Sequence, residues 1–257
     1  MIMNQHKKRI SSSGTARTKN RSGAGLTQIL LTMVTLVIIL AVGAAFFLPA
    51  QRRARPAALR SQCKNNLKQI GLALHNYHED QGAFPPAYTV DANGKPLHGW
   101  RTLILPYLDQ KPLYDSIDLS KPWNDPANAE AYATHLSAYV CPSTDMPDGY
   151  TTYLALVGPD CAFQAAQPQQ LRDMQDGTSN TVLVIDASPI AAVHWMDPTD
   201  SANDFFLNVT DGTVLSHAGG FHALLGDGTV RFLPETLPQE TRRALSTIAG
   251  GEEIGEF

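Results

Sequence analysis

Acidic residues are missing from the first 70 positions of this 257-residue chain, although the whole sequence holds 24 of them. Twelve of the 20 lysines and arginines fall in that same stretch, so the chain is basic at its start and acidic afterwards, with a net charge of −4. The acidic remainder would repel phosphate, and no interleaving of basic and aromatic residues accompanies the basic part, which excludes nucleic acid as the expected partner. Cysteine is scarce: there are three, no two of them at C-x₂₋₄-C spacing. That leaves a zinc site without support and limits the chain to a single internal bridge. Internal repeats, a Gly-x-Ser-x-Gly nucleophile and a phosphate-cradling glycine loop are also lacking, so no sequence motif announces a solenoid, a hydrolase or a nucleotide site.

What is present first is a long apolar run, ILLTMVTLVIILAVGAAFFLP, from Ile29 to Pro49. As helix it extends about 31 Å, the thickness of a bilayer's hydrocarbon core. A cleaved secretory signal has an apolar part of only about 7–15 residues and ends at a small-residue cleavage site. The run is therefore read as one spanning helix over 26–50, preceded by a basic, disordered leader over 1–25. Six basic residues precede the span and six follow it, so charge on the flanks does not choose an orientation. The large acidic domain and the cysteines favour an N-terminus inside and a head outside the cytoplasmic membrane, in the periplasm or cell envelope. The lipid bilayer is the expected partner, and basic residues after the span suit anionic headgroups.

Residues 51–257 are enough for one domain with a substantial core. It should begin with an amphipathic helix over 51–80, because Leu59, Cys63, Leu67, Ile70, Leu74 and Tyr77 recur at helical spacing. Pro56 either starts a new helical segment or kinks a continuous one, and GAFPP from Gly82 to Pro86 ends it. GWRTLILPYLDQKPLYDSI reads as short helical turns broken by Pro106 and Pro112. Strands are expected at Tyr139–Cys141, Thr152–Val157, Thr181–Asp186, Phe205–Val209, Phe221–Leu225 and Thr229–Leu233, with Asp227-Gly228 as the hairpin turn of the last two. The fold class is α+β: a long N-terminal transmembrane and amphipathic helix packed on an antiparallel sheet with extra loops, the layout of a type IV pilin.

Several blocks carry a closer resemblance. They are SQCKNNLKQIGLALHNYHEDQGAFPP, WRTLILPYLDQKPLYDSIDLSKPWNDPAN, YVCPS, DGTSNTVLVIDA and HAGGFHALLGDGTVRFLPETL. Together they closely resemble a large bacterial prepilin-like family, domain of unknown function 1559, over nearly all of Leu48 to Phe257. In the last block nine residues separate His217 from Asp227-Gly228, which resembles that family's C-terminal segment. The resemblance implies a pseudopilin-like, membrane-anchored, exported protein related to type II secretion. One departure stands out. The prepilin cleavage pattern aligns on Gly25-Leu26-Thr27-Gln28-Ile29-Leu30, which puts Leu30 where prepilins have an acidic residue. That carboxylate would offset the burial of a neighbour's amine in a polymer, and Leu30 offers none. Gly25 and Leu26 are the leader-cleavage candidates, with an uncleaved anchor as the alternative.

Cys63 lies on the apolar helix face and Cys141 at the end of an expected strand that would pack on it, so Cys63–Cys141 is the first choice of disulfide. Cys141–Cys161 and three buried free thiols are the alternatives. His75, His78 and Glu79 share a helix face but lack the order of a zinc protease. His217 with Asp227 raises the idea of a general base and its orienting carboxylate, although structural roles for His217, Asp227 and Gly228 account for the segment. Loop aspartates 173, 176, 197, 200, 204 and 211 include weak calcium candidates, chiefly Asp197, Asp200 and Asp204. No cofactor is otherwise expected. The function expected is a non-enzymatic structural or interaction protein whose N-terminal helix meets other pilin-like subunits, for which Gly43, Ala44 and Ala45 allow close approach. The alternatives are a carbohydrate- or peptide-binding module stacking ligand on Trp100, Trp123 or Trp195, and a hydrolase using His217 and Asp227.

Overall fold

The computed structural model describes residues 22–199, 202–252, 254–255 and 257, without the side chains of 22–24 and 44–55. The expected disordered leader before Ser22, Asp200, and the side chains of Ala44 and Ala45 lie outside the described residues. Helix α1 (Ser22–Gln81) runs 60 residues, and the chain divides within it into two units, Met1–Arg53 and Ala54–Phe257.

In the first unit, Gly25–Gly43 is long and apolar enough to cross a membrane, with a mean hydropathy of 2.4 and none of it buried. Leu26, Ile29, Leu30, Leu36 and Ile39 all stand exposed. The hydroxyls of Thr32 and Thr35 donate to the carbonyls of Ile29 and Thr32 at 2.8 and 2.9 Å. Two of the segment's polar side chains are thus satisfied within the helix, as an apolar solvent favours.

In the second unit α1 is amphipathic. Cys63, Leu67, Ile70 and Leu74, spaced four, three and four apart, are fully buried while Lys64, Lys68 and Leu72 are exposed. The helical assignment passes through Pro56 and ends at Gln81. There Gly82 takes φ +78° and donates to the His78 carbonyl at 2.8 Å, a glycine C-cap.

The central sheet has four antiparallel strands in the order β4 (Tyr153–Ala155), β5 (Val182–Asp186), β7 (Gly220–Leu225) and β8 (Val230–Pro234). Two small antiparallel pairs flank it: β1 (Tyr88–Val90) with β2 (Pro96–Gly99), and β3 (Tyr150–Thr151) with β6 (Val193–His194). Gly228 at φ +81° forms the expected β7–β8 turn. One sheet face packs against α1, bringing Leu67, Ile70 and Leu74 to Tyr153, Ala155, Val184 and Leu224. The contact is close: a Cβ on Gly71 would stand 2.7 Å from Leu224 Cδ1. The other face, with Leu154, Val182, Ile185, Phe221 and Leu233, gathers Phe206 and Leu245 from α5 (Asn203–Asn208) and α6 (Gln239–Ser246). This is an α+β domain with its sheet covered on both faces.

Two expected strands are absent. Residues 205–209 fall mainly in α5, because Asn203 is drawn back to the end of β4, its Oδ1 accepting from the Val157 amide at 2.8 Å. Asp204 then stands in the first turn, where a carboxylate favours a helix. A short aromatic run does not distinguish strand from helix, and here tertiary contact decided. Tyr139–Cys141 is likewise not a strand: Ser137–Tyr139 is a 3-10 turn, and Asn66 of α1 donates to the carbonyls of Ser137 and Val140 at 3.2 and 2.9 Å, capturing the backbone acceptors a ladder would use. Pro106 and Pro112 open short helices, Leu105–Leu108 and α3 (Lys111–Ser116), rather than breaking them, since a first-turn position needs no amide. Two further single turns, α2 (Trp100–Leu103) and α4 (Ala129–Tyr132), complete the α-helices among the described residues.

Candidate functional site

The densest group of chemically competent side chains lies where α1 meets the sheet. Cys63 comes from the buried stripe of α1, and Cys141 from the loop that Asn66 fastens to that helix. They form the disulfide, with Cα atoms 5.2 Å apart across 78 residues of sequence. Asp186 ends β5, opposite Tyr153 of β4. A register irregularity between Val182 and Val184 resets the alternation of β5. Val184 and Asp186 are thereby turned to the helix side, while Val182 and Ile185 face away. His217 precedes β7 and is tied to it by a bridge to Gly220.

These groups converge away from solvent. His217 Nε2 is 2.9 Å from Asp186 Oδ2, and the Thr152 hydroxyl donates to Asp186 Oδ1 at 2.6 Å. Cys141 Sγ lies 3.8 Å from the same His217 nitrogen. Tyr153 donates to the Cys63 carbonyl at 3.4 Å, and burial, with Asp186 nearby, pushes its phenol well above the ordinary range. His222 on β7 meets the His217 ring edge-on at 4.8 Å. Burial, then the neighbouring His217, holds the His222 pKa down at about 4. The arrangement has the orienting half of a catalytic triad, histidine on carboxylate, yet Thr152 bonds the carboxylate rather than the imidazole. With the sulfurs joined, its chemistry is that of a buried clamp linking α1, a loop and two strands.

The pairing of His217 with Asp227 is corrected. They stand at opposite ends of β7, a six-residue strand roughly 20 Å long, and the partner of His217 is Asp186. Asp227 serves its turn, accepting from the Thr229 amide and hydroxyl at 2.9 and 2.7 Å. Cys161 is not the partner of Cys141: it is free and buried in the core on the other sheet face, beside Asn203 Nδ2 at 3.3 Å. Sequence reasoning found Cys63 through helix periodicity and Cys141 through an expected strand that the structure replaces with a 3-10 turn and loop. It missed Asp186, since an acid closing an apolar strand carries no local signal of its partner.

The other candidates are separate from this cluster. His78 Nε2 accepts from the Leu171 amide at 3.3 Å, and His75 turns its edge to Phe84, so the two share no ligand-like focus with exposed Glu79. Burial lowers the His75 pKa. Asp197 accepts from Thr199, Asp176 from the Gly250 and Gly251 amides, and Asp173 from Gln170. Asp204 sits exposed in the first turn of α5. Among the described residues none of these aspartates joins a cluster of three potential metal ligands. Gly25 and Leu26 lie in the helical backbone of α1. Trp100 and Trp195 are core, whereas Trp123 is half-buried, stacked within 6 Å of Tyr132 and His194, and lines an open cleft of about 340 Å³ with Asn124 and Asp125.

Residues 52–156 match the family model described as Protein of unknown function (DUF1559), so this stretch of the chain is similar to that family. The matched stretch contains Cys63, Cys141 and Thr152 and stops before Asp186, His217 and Asp227-Gly228. No curated protein and no solved structure matches the chain.

Proposed function

We propose that the chain is a membrane-anchored, non-enzymatic, pseudopilin-like protein that presents its α+β head outside the cytoplasmic membrane as a structural or interaction domain. The observation that carries this reading is the bare apolar helix Gly25–Gly43, whose side chains have no protein cover and which bilayer lipid would solvate. Burying that surface in lipid is favourable by roughly 25 cal/mol per Å². The Cys63–Cys141 bridge supports the orientation, since such bonds persist outside the reducing cytoplasm. Gly43, with nothing within 4 Å of a Cβ placed on it, leaves room for close approach by a neighbouring subunit's helix. The head requires no cofactor in this role.

Mass spectrometry of the N-terminus of protein extracted from its native membrane tests the reading. A start at Leu26, especially with a methylated amine, is expected for pseudopilin processing despite Leu30. An intact leader would replace the pseudopilin with a static anchor, and recovery of the chain in the soluble fraction would remove the anchor as well.

A second reading, an anchored carbohydrate-binding module, is favoured by Trp123 alone among the tryptophans. Its ring is accessible beside a cleft with polar Asn124 and Asp125, the combination that stacks on a sugar face and bonds its hydroxyls. Titration with soluble cell-wall oligosaccharides should then change the tryptophan fluorescence of the protein but not that of Trp123→Phe. An unchanged signal in both would dismiss it.

A further inference from the structure

We propose that the Cys63–Cys141 disulfide is the oxidised form of a metal site, and that on reduction Cys63, Cys141, Asp186 and His217 bind a single Zn²⁺. The four donor atoms, two sulfurs, one carboxylate oxygen and one imidazole nitrogen, all lie within 4.8 Å of one another. A tetrahedral zinc with bonds of about 2.0–2.3 Å needs donors about 3.3–3.8 Å apart. The 3.8 Å between Cys141 Sγ and His217 Nε2 meets that. The 2.9 Å between His217 and Asp186 needs to open by less than about 1 Å. Two thiolates, an imidazole and a carboxylate suit zinc and not calcium, which takes oxygen ligands.

The donors are held in place by bonds that do not depend on the S–S link. Asn66 fastens the Cys141 loop to α1 through two carbonyls, and Tyr153 holds the Cys63 carbonyl. Thr152 occupies Asp186 Oδ1, leaving Oδ2 turned inward. A hydroxyl on the outer carboxylate oxygen is the kind of support that orients metal ligands. Ser143, partly exposed and 3.8 Å from Cys63 Sγ, marks the side nearest solvent.

The exchange balances. A dithiol gives two electrons and two protons to the disulfide, and its own sulfurs close as a disulfide while Cys63 and Cys141 return as thiols. Zn²⁺ then displaces both thiol protons to solvent, and a proton held on His217 Nε2 toward Asp186 must also pass to Nδ1 or to solvent before that nitrogen can bind the metal. The same junction is therefore closed covalently under oxidising conditions and by metal under reducing ones, whichever side of a membrane the head occupies.

The test uses the full chain in detergent with Cys161→Ser, which removes the third thiol. After reduction by excess dithiol and its removal under argon, Co²⁺ is titrated as the probe. One equivalent per chain should give sulfur-to-cobalt charge transfer and the visible bands of a tetrahedral site, all lost on adding Zn²⁺, with none in the oxidised protein. Cys141→Ser should abolish the charge-transfer signature of a two-thiolate site, and His217→Gln should weaken binding about tenfold or more. A reduced chain that keeps its circular dichroism but shows no such bands overturns the proposal, as do unchanged bands and affinity in both variants. If reduction alone unfolds the chain, Zn²⁺ present throughout must preserve the folded spectrum, and failure to do so also overturns it.

Discussion

The two faces of the four-stranded sheet are built on different physics. Toward α1, the core contains a bridge, a carboxyl, two imidazoles, Asn66, Thr152 and Tyr153 among Leu67, Val184 and Leu224. Toward α5 and α6 it is chiefly aliphatic and aromatic, with the Cys161 thiol within it and the buried Arg242 of α6 donating to the Leu207 carbonyl of α5 at 3.3 Å. A dry apolar face is stabilised by area and tolerates repacking of similar volume. A polar seam stabilises only while every member is paired, since each orphaned buried group costs about 1–3 kcal/mol. The polar face is the one that joins the long helix to the sheet, so the junction is specified by direction as well as by volume.

The contrast can be broken from either side. On the apolar face, Phe221→Ala or Phe206→Ala should cost about 3–5 kcal/mol by chemical denaturation, the largest effect expected, because both rings are fully buried against each other's edges. On the polar face, replacing both Cys63 and Cys141 with alanine should cost about 2–5 kcal/mol, as the bridge closes a long loop; a change confined to the other face's thiol, Cys161→Ala, should be much milder. Asp186→Ala should cost about 1–3 kcal/mol for each partner left unmatched, here Thr152 and His217. Adding Thr152→Val to it should recover part of that loss in a double-mutant cycle.

A further effect expected is a pH dependence centred on the polar face. His222 has a folded pKa of about 4 against 6.5 for the free side chain, so the unfolded chain takes up its proton first. Its contribution is fully present above pH 6.5 and is lost as pH falls from there toward 4. Denaturation midpoints measured across that window should fall less steeply for His222→Gln than for the parent. Equal slopes would show that His222 is not held neutral by the fold. Burial lowers the His98 and His194 pKa values in the same direction, which is why the difference between the two proteins, not the slope itself, is the readout.

Much of this was legible in order of residues. The helical stripe from Cys63 to Leu74, the GAFPP stop and the Asp-Gly hairpin each rest on a period or a local backbone preference, and each is found where the pattern put it; of the span expected over 26–50, Gly25–Gly43 is the stretch among the described residues long and apolar enough to cross a membrane. Phe205–Val209 was not, because a five-residue aromatic run suits either period and Asn203 settled it through a bond to Val157. The candidate site was half legible. Periodicity placed Cys63 on the buried face, and Cys141 was reached through an expected strand that does not form, while Asp227, ten positions from His217 and part of an Asp-Gly dipeptide, drew attention from Asp186.

By itself, then, the sequence determined what neighbouring residues can decide: a span apolar enough for a bilayer, an amphipathic helix, the β7–β8 hairpin and an acidic head after a basic start. Only the tertiary structure brought positions 63, 141, 186 and 217 within 4.8 Å of one another. It did so through a register shift in β5, the Asn66 bonds to a distant loop and the turn before β7. Each of these is a long-range contact whose partner leaves no mark on the local pattern, because periodicity records which side of an element is buried and not what it meets there.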